Sequence, residues 1–60
     1  MKTKKILIVD VDIQIGNLEQ EVLEQKGYAI LRAYSGTEAV MLLERERADL
    51  IILGQHRIMQ

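Results

Sequence analysis

Two runs of four aliphatic residues, Ile6-Leu7-Ile8-Val9 and Leu50-Ile51-Ile52-Leu53, constrain the fold of this chain more than any other feature. A strand with one face in water alternates apolar and polar residues. A run apolar at every position and rich in β-branched side chains is instead the pattern of a strand covered on both faces, as in a parallel sheet. The first run closes at Asp10 and the second at Gly54. Parallel neighbours must be joined by long crossovers, usually helical, so the sequence between the runs should carry helical spacing.

It does. From Ile13 the apolar residues Ile15, Leu18, Val22 and Leu23 recur at helical spacing among Asn17, Glu19, Gln20, Glu21, Glu24 and Gln25, which predicts an amphipathic helix over about 13–26. Asp12 stands where an N-cap carboxylate would accept a free amide. Gly27 stands where a left-handed residue would end the helix, letting Tyr28 fold back on the last turn. Gly16 is a mild weakness in the first turn. Residues 28–33 read as a second strand, diluted enough in apolar residues to suit an edge. Ser35-Gly36-Thr37-Glu38 matches a capping box, with Ser35 capping the amide three residues on and Glu38 reaching back. The helix it opens is expected over about 36–47, with Ala39, Val40, Leu42 and Leu43 facing inward and Glu44 paired with Arg47 on a solvated face. The third strand follows at about 49–54. This βαβαβ order with right-handed crossovers predicts an α/β fold with strand order 2-1-3 and one helix on each face. The third strand, the most apolar run in the chain, then lies on an edge.

Size limits what such a unit achieves alone. A 6.9 kDa chain exposes about 10,000 Å² unfolded and about 4,000 Å² folded, so roughly 6,000 Å² is buried. With ~60% of that apolar, burial contributes on the order of 90 kcal/mol, and ordering sixty residues costs about the same. There is no Cys for a disulfide, a thiolate metal site or a thiol nucleophile, and His56 alone cannot build a multi-histidine metal cluster. Burial against another chain is the remaining source of stability. A net charge of -1 gives no broad positive field for nucleic acid or an anionic membrane. No apolar run approaches a membrane span, and the run after Lys2, Lys4 and Lys5 is too short for a signal peptide. A cytoplasmic location is therefore expected.

With these pieces in order, the chain resembles the N-terminal half of a response-regulator receiver domain. The resemblance rests on Lys5-Ile6-Leu7-Ile8-Val9-Asp10, Leu23-Glu24-Gln25-Lys26-Gly27-Tyr28, Ala33-Tyr34-Ser35-Gly36-Thr37-Glu38-Ala39 and Ala48-Asp49-Leu50-Ile51-Ile52-Leu53. It implies one half of a flavodoxin-like, doubly wound sheet whose complete form passes phosphate from a histidine kinase to an aspartate beside Mg²⁺. That chemistry needs a carboxylate nucleophile and several anionic oxygens around a hard cation. In the family an acidic pair closes the first strand and the phosphoacceptor closes the third. Here the pair is reduced to Asp10, with Val11 at the position resembling the metal ligand, and the phosphoacceptor position is Gly54. Neither catalysis, a bound metal nor a cofactor is expected.

Further departures run in the same direction. Glu19 replaces a commonly apolar residue on the first helix, placing a charge on a face left open. Ala48 and Ile58 replace common prolines on either side of the third strand, removing obstacles to extended pairing. The set implies a truncated half-domain of engineered or evolved origin. Its expected partner is itself, in a homodimer whose third strands pair to give a six-stranded sheet, with Leu50, Ile51, Ile52, Leu53, Gly54, Gln55, His56 and Ile58 at the interface. No nucleic acid, membrane or small-molecule substrate is expected. The competing reading is a signalling remnant that binds a partner protein without phosphorylation. A flavin or nucleotide site at the strand ends rests on fold analogy alone. His56 reads as a solvated side chain, the three Met residues form no cofactor box, and Tyr28 and Tyr34 read as packing at strand ends.

Overall fold

The computed structural model describes residues 3–54. Its elements are β1 (Lys5–Val9), α1 (Ile13–Gln25), β2 (Ala29–Ala33), α2 (Gly36–Leu43) and β3 (Leu50–Leu53). The three strands form one parallel sheet in the order β2-β1-β3. β1 is central because it alone pairs on both sides: Leu7 lies between Leu31 and Ile51, and Ile8 between Arg32 and Ile52. Residues in register share a face of the sheet. One face therefore carries Leu7, Val9, Leu31, Ala33, Ile51 and Leu53, and the other Ile6, Ile8, Ile30, Arg32, Leu50 and Ile52.

Both helices pack over β1 and β2, and among the described elements β3 packs only against β1. The core follows from that arrangement. Leu7, Val9 and Ala33 are buried against Ala39, with Leu31, Leu42 and Ala48 around them, while Ile6 and Ile8 are buried on the opposite face.

The helix ends show why the chain turns where it does. The Asp12 carboxylate accepts from Ile15 N at 3.1 Å, and Ser35 Oγ accepts from Glu38 N at 3.1 Å. Glu38 does reach back, but its carboxylate takes the Tyr34 amide, so the box closes one residue before the N-cap. At the other end of α1, Gly27 adopts φ 97° while its amide donates to Glu24 O and that of Tyr28 to Leu23 O. This double closure requires a left-handed residue. It also removes Tyr28 from the second strand, which begins at Ala29 rather than 28.

Two expectations fail on the helices. α2 ends at Leu43, not near 47: the amides of Arg45 and Glu46 both return to Leu42 O, tightening the last turn. No apolar residue from 44 to 47 offers a face to bury, and the chain turns back toward β3. The expected Glu44–Arg47 pair is not formed; among the described residues the ion pair is Lys5 Nζ to Glu46 Oε1 at 3.1 Å. The second failure is the orientation of α1. The apolar stripe of an amphipathic helix ordinarily faces the core, but Ile15, Leu18 and Val22 are 48%, 63% and 51% exposed. Gly16 is the buried residue of the helix. The cause is Arg32, which projects from β2 beneath the first turns, where its Nη1 donates to Asn17 Oδ1 at 2.8 Å and Gln20 Oε1 at 2.9 Å. A Cβ at position 16 would lie 2.5 Å from Arg32 Nη2. What reads as a weakness in the helix is the space the guanidinium occupies.

Candidate functional site

In parallel α/β sheets ligands gather beyond the carboxyl ends of the strands, where strand order reverses. Here that place is formed by Asp10 after β1, Tyr34 after β2 and Gly54 after β3, held together by Asp10 N to Ala33 O at 3.0 Å and Gly54 N to Val9 O at 2.6 Å. The Asp10 carboxylate is buried, 6% exposed, and accepts from Asp12 N at 2.9 Å. Val11 beside it is exposed, and the Asp12 carboxylate is engaged in capping α1.

Gly54 lies against this carboxylate. A Cβ built on Gly54 would overlap Cγ and Oδ2 of Asp10. The third strand's terminal position therefore has no side chain and no vacant room for one, because Asp10 fills it. This set does not fit a divalent cation. Mg²⁺ requires several oxygens in near-octahedral array, whereas Asp10 already accepts a backbone amide, Asp12 serves the helix, and positions 11 and 54 offer no oxygen beyond the backbone. Among the described residues no three acidic, His or Cys side chains converge. Gly54, at the end of β3, offers no side-chain nucleophile.

The other notable surface runs along β3. Among the described residues its outer edge has no strand beside it, and its side chains are open on both faces: Leu50 is 54%, Ile51 45% and Leu53 71% exposed. Sequence reasoning placed Leu50 to Gly54 at an interface, and these residues do lie together on the open edge. Gln55, His56 and Ile58, expected there too, fall outside the described residues.

Beside β3, between it and α1, lies a groove of about 360 Å³ lined by Leu18, Glu19, Val22, Leu23 and Ile52. The sequence placed Glu19 as a solvated charge on an open face. In the structure it is half-buried, and its Oε1 is buried with no hydrogen-bond partner. The signal that could have found this groove was Arg32, a long cation in the middle of a strand whose register partner is the fully buried Ile8. Such a residue must displace the helix above it. The same Arg32 guanidinium lies 5.0 Å from the Tyr34 ring centroid.

Comparison with known proteins finds the chain similar to parts of several bacterial regulatory proteins and a phosphotransferase. It is 46% identical over 50 residues to the alkaline phosphatase synthesis transcriptional regulatory protein PhoP of Bacillus subtilis, covering 83% of this chain and 21% of that protein. To sporulation initiation phosphotransferase F of the same organism it is 40% identical over 53 residues, 88% of this chain and 43% of that protein. The transcriptional regulatory protein CpxR of Escherichia coli K12 is 39% identical over 49 residues, 82% of this chain and 21% of its own length. The chain thus spans less than half the length of each of these relatives. No family model and no solved structure matches it.

Proposed function

We propose, from the premise that this chain is a homologue of response-regulator receiver domains matching their N-terminal βαβαβ half, that it is a non-catalytic module that joins a second copy of itself through β3. The observation that carries the reading is the open edge of β3, a row of unpaired backbone groups bearing aliphatic side chains exposed on both faces. An edge of this kind is a template for another strand. A two-fold axis perpendicular to the sheet would make the central pair antiparallel and produce the strand order 2-1-3-3′-1′-2′. The contact is then self-complementary, with Leu50 to Gly54 meeting their own copies in reverse.

The site beyond the strand ends supports a non-catalytic role. With Gly54 in place of a carboxylate and Asp10 packed against it, phosphoryl transfer has no acceptor. Sedimentation equilibrium with circular dichroism across a dilution series tests the proposal. Dimer mass should form, helicity should fall together with that mass, and Leu53→Lys should weaken association at least about tenfold by bringing a charge to the pairing edge. A folded monomer that persists at every concentration overturns the reading.

One fact favours a second reading, a signalling remnant that docks on a partner protein. The chain covers only 21% to 43% of the relatives named above, so in those proteins additional chain accompanies the matched segment. A monomer with local spectral changes on adding Mg²⁺ or a phosphoryl donor would favour it, whereas indifference to both fits the self-associating module.

A further inference from the structure

The outer edge of β3 is not equally open along its length. The register that sets Ile51 beside Leu7, with the bond from Gly54 N to Val9 O at 2.6 Å, turns the backbone groups of Leu50, Ile52 and Gly54 toward β1. Backbone groups point alternately to the two sides of a strand, so Ile51 and Leu53 carry the amides and carbonyls that face outward. Asp49 adds no donor to this row: its amide donates to Lys5 O at 2.8 Å, and its carboxylate accepts from Lys5 N at 2.8 Å. Among the described residues of β3, the capacity to pair with a further strand is thus concentrated at Ile51 and Leu53.

We propose, resting on the reading that β3 pairs with its own copy, that Ile52 lies on the two-fold axis and that Ile51 of each copy exchanges backbone hydrogen bonds with Leu53 of the other. About such an axis, residues with outward groups must meet one another. That condition leaves Ile51, Ile52 or Leu53 at the centre. An axis at Ile51 sets Leu53 against Asp49, a carboxylate whose amide is already engaged. An axis at Leu53 carries Leu50 and Ile51 past Gly54, so neither meets an apolar residue of β3. Only the axis at Ile52 satisfies the outward groups of Ile51 and Leu53 by one another. The side chains agree with the backbone. Ile51 and Leu53, on one face of the sheet and among its open residues, cover each other, and Ile52 meets its own copy on the opposite face. Leu50 lies opposite Gly54, which brings no side chain against it.

The chain contains no cysteine, so single cysteines in the full chain read the register directly. At the axis Ile52 and its copy form a non-hydrogen-bonded pair with Cα atoms about 4.5 Å apart, within the ~4.4–6.8 Å that a disulfide spans. Ile51 and its own copy sit diagonally at about 7–8 Å, as do Leu53 and its copy, outside that span. Under mild oxidation Ile52→Cys should therefore give a covalent dimer, and the product should be lost in Ile51→Cys and in Leu53→Cys taken singly. An equal mixture of those two variants should regain it, because positions 51 and 53 of different copies lie about 5.5 Å apart. Glu44→Cys, at an exposed position away from β3, measures collisional cross-linking, and circular dichroism confirms that each variant folds. The mixture keeps the register testable if Ile52→Cys does not. A dimer in which Ile51→Cys or Leu53→Cys alone cross-links best overturns this register and leaves β3 pairing standing. Cross-linking no faster than that of Glu44→Cys at every β3 position, in a chain that sediments as a dimer, overturns both. A chain that sediments as a monomer overturns the pairing itself, and the register with it.

Discussion

β1 and β3 are chemically close to identical, ILIV against LIIL, and are adjacent in register, yet their surroundings are opposite. Leu7 and Ile8 are 0% exposed, whereas their partners on β3 include Ile51 at 45%, and Leu53 reaches 71%. The difference comes from what flanks each strand. β1 has a strand on either side and a helix over each face; among the described residues β3 has one neighbouring strand and no helix packed on it. Aliphatic composition thus records a demand for cover, and topology decides whether the chain meets that demand itself.

The largest effect that could break this contrast is a truncation at matched positions. Leu7→Ala should cost about 2–5 kcal/mol, enough to unfold a chain whose burial and ordering terms nearly cancel. Ile51→Ala, its register partner, should cost about 1 kcal/mol or less in dilute solution, with the loss growing at concentrations where β3 is covered. Urea denaturation at two protein concentrations separates these outcomes, and equal losses at both positions would remove the contrast.

Next comes the point where the two strands end together. Gly54→Asp forces a side chain into space held by Asp10 and should destabilise by about 1–3 kcal/mol. At a symmetric β3 contact it also sets an added carboxylate against the apolar strand of the other copy and weakens association. Asp10→Ala combined with Gly54→Asp should recover part of the loss, so a double-mutant cycle should show coupling of about 1 kcal/mol; additive losses would mean that the two positions do not compete for room.

Asp12→Ala should cost about 1 kcal/mol by uncapping the helix that covers β1. Hydrogen exchange should then show β1 amides losing protection more than those of β3. The smallest change is Glu46→Gln, which breaks a half-exposed ion pair to Lys5 and should alter stability by less than about 0.5 kcal/mol.

Much of this was legible in the sequence because it depends on local chemistry. The apolar runs, the caps at Asp12, Ser35 and Gly27, and the alternation of strand and helix each specify backbone geometry within a few residues. The strand order then follows from crossover handedness. The rotation of α1 was not legible, because it depends on a contact between Gly16 and Arg32, sixteen residues apart in the chain. The amphipathic pattern alone points Ile15, Leu18 and Val22 at the sheet. The end of α2 was overextended because alternating Glu and Arg are good helix formers, and local propensity says nothing of the turn needed to reach β3. At the strand ends, the absence of a carboxylate at Val11 and Gly54 could be read directly. The occupation of the vacated space by Asp10 is a tertiary fact.

That occupation couples positions 10 and 54. With the carboxylate at the end of β1 settled in the room above Gly54 and accepting the Asp12 amide, any side chain introduced at position 54 meets one already in place. Room at the strand ends is therefore shared as a pair: single substitutions can refine its shape, while a side chain at position 54 is accommodated only if position 10 shrinks or moves with it.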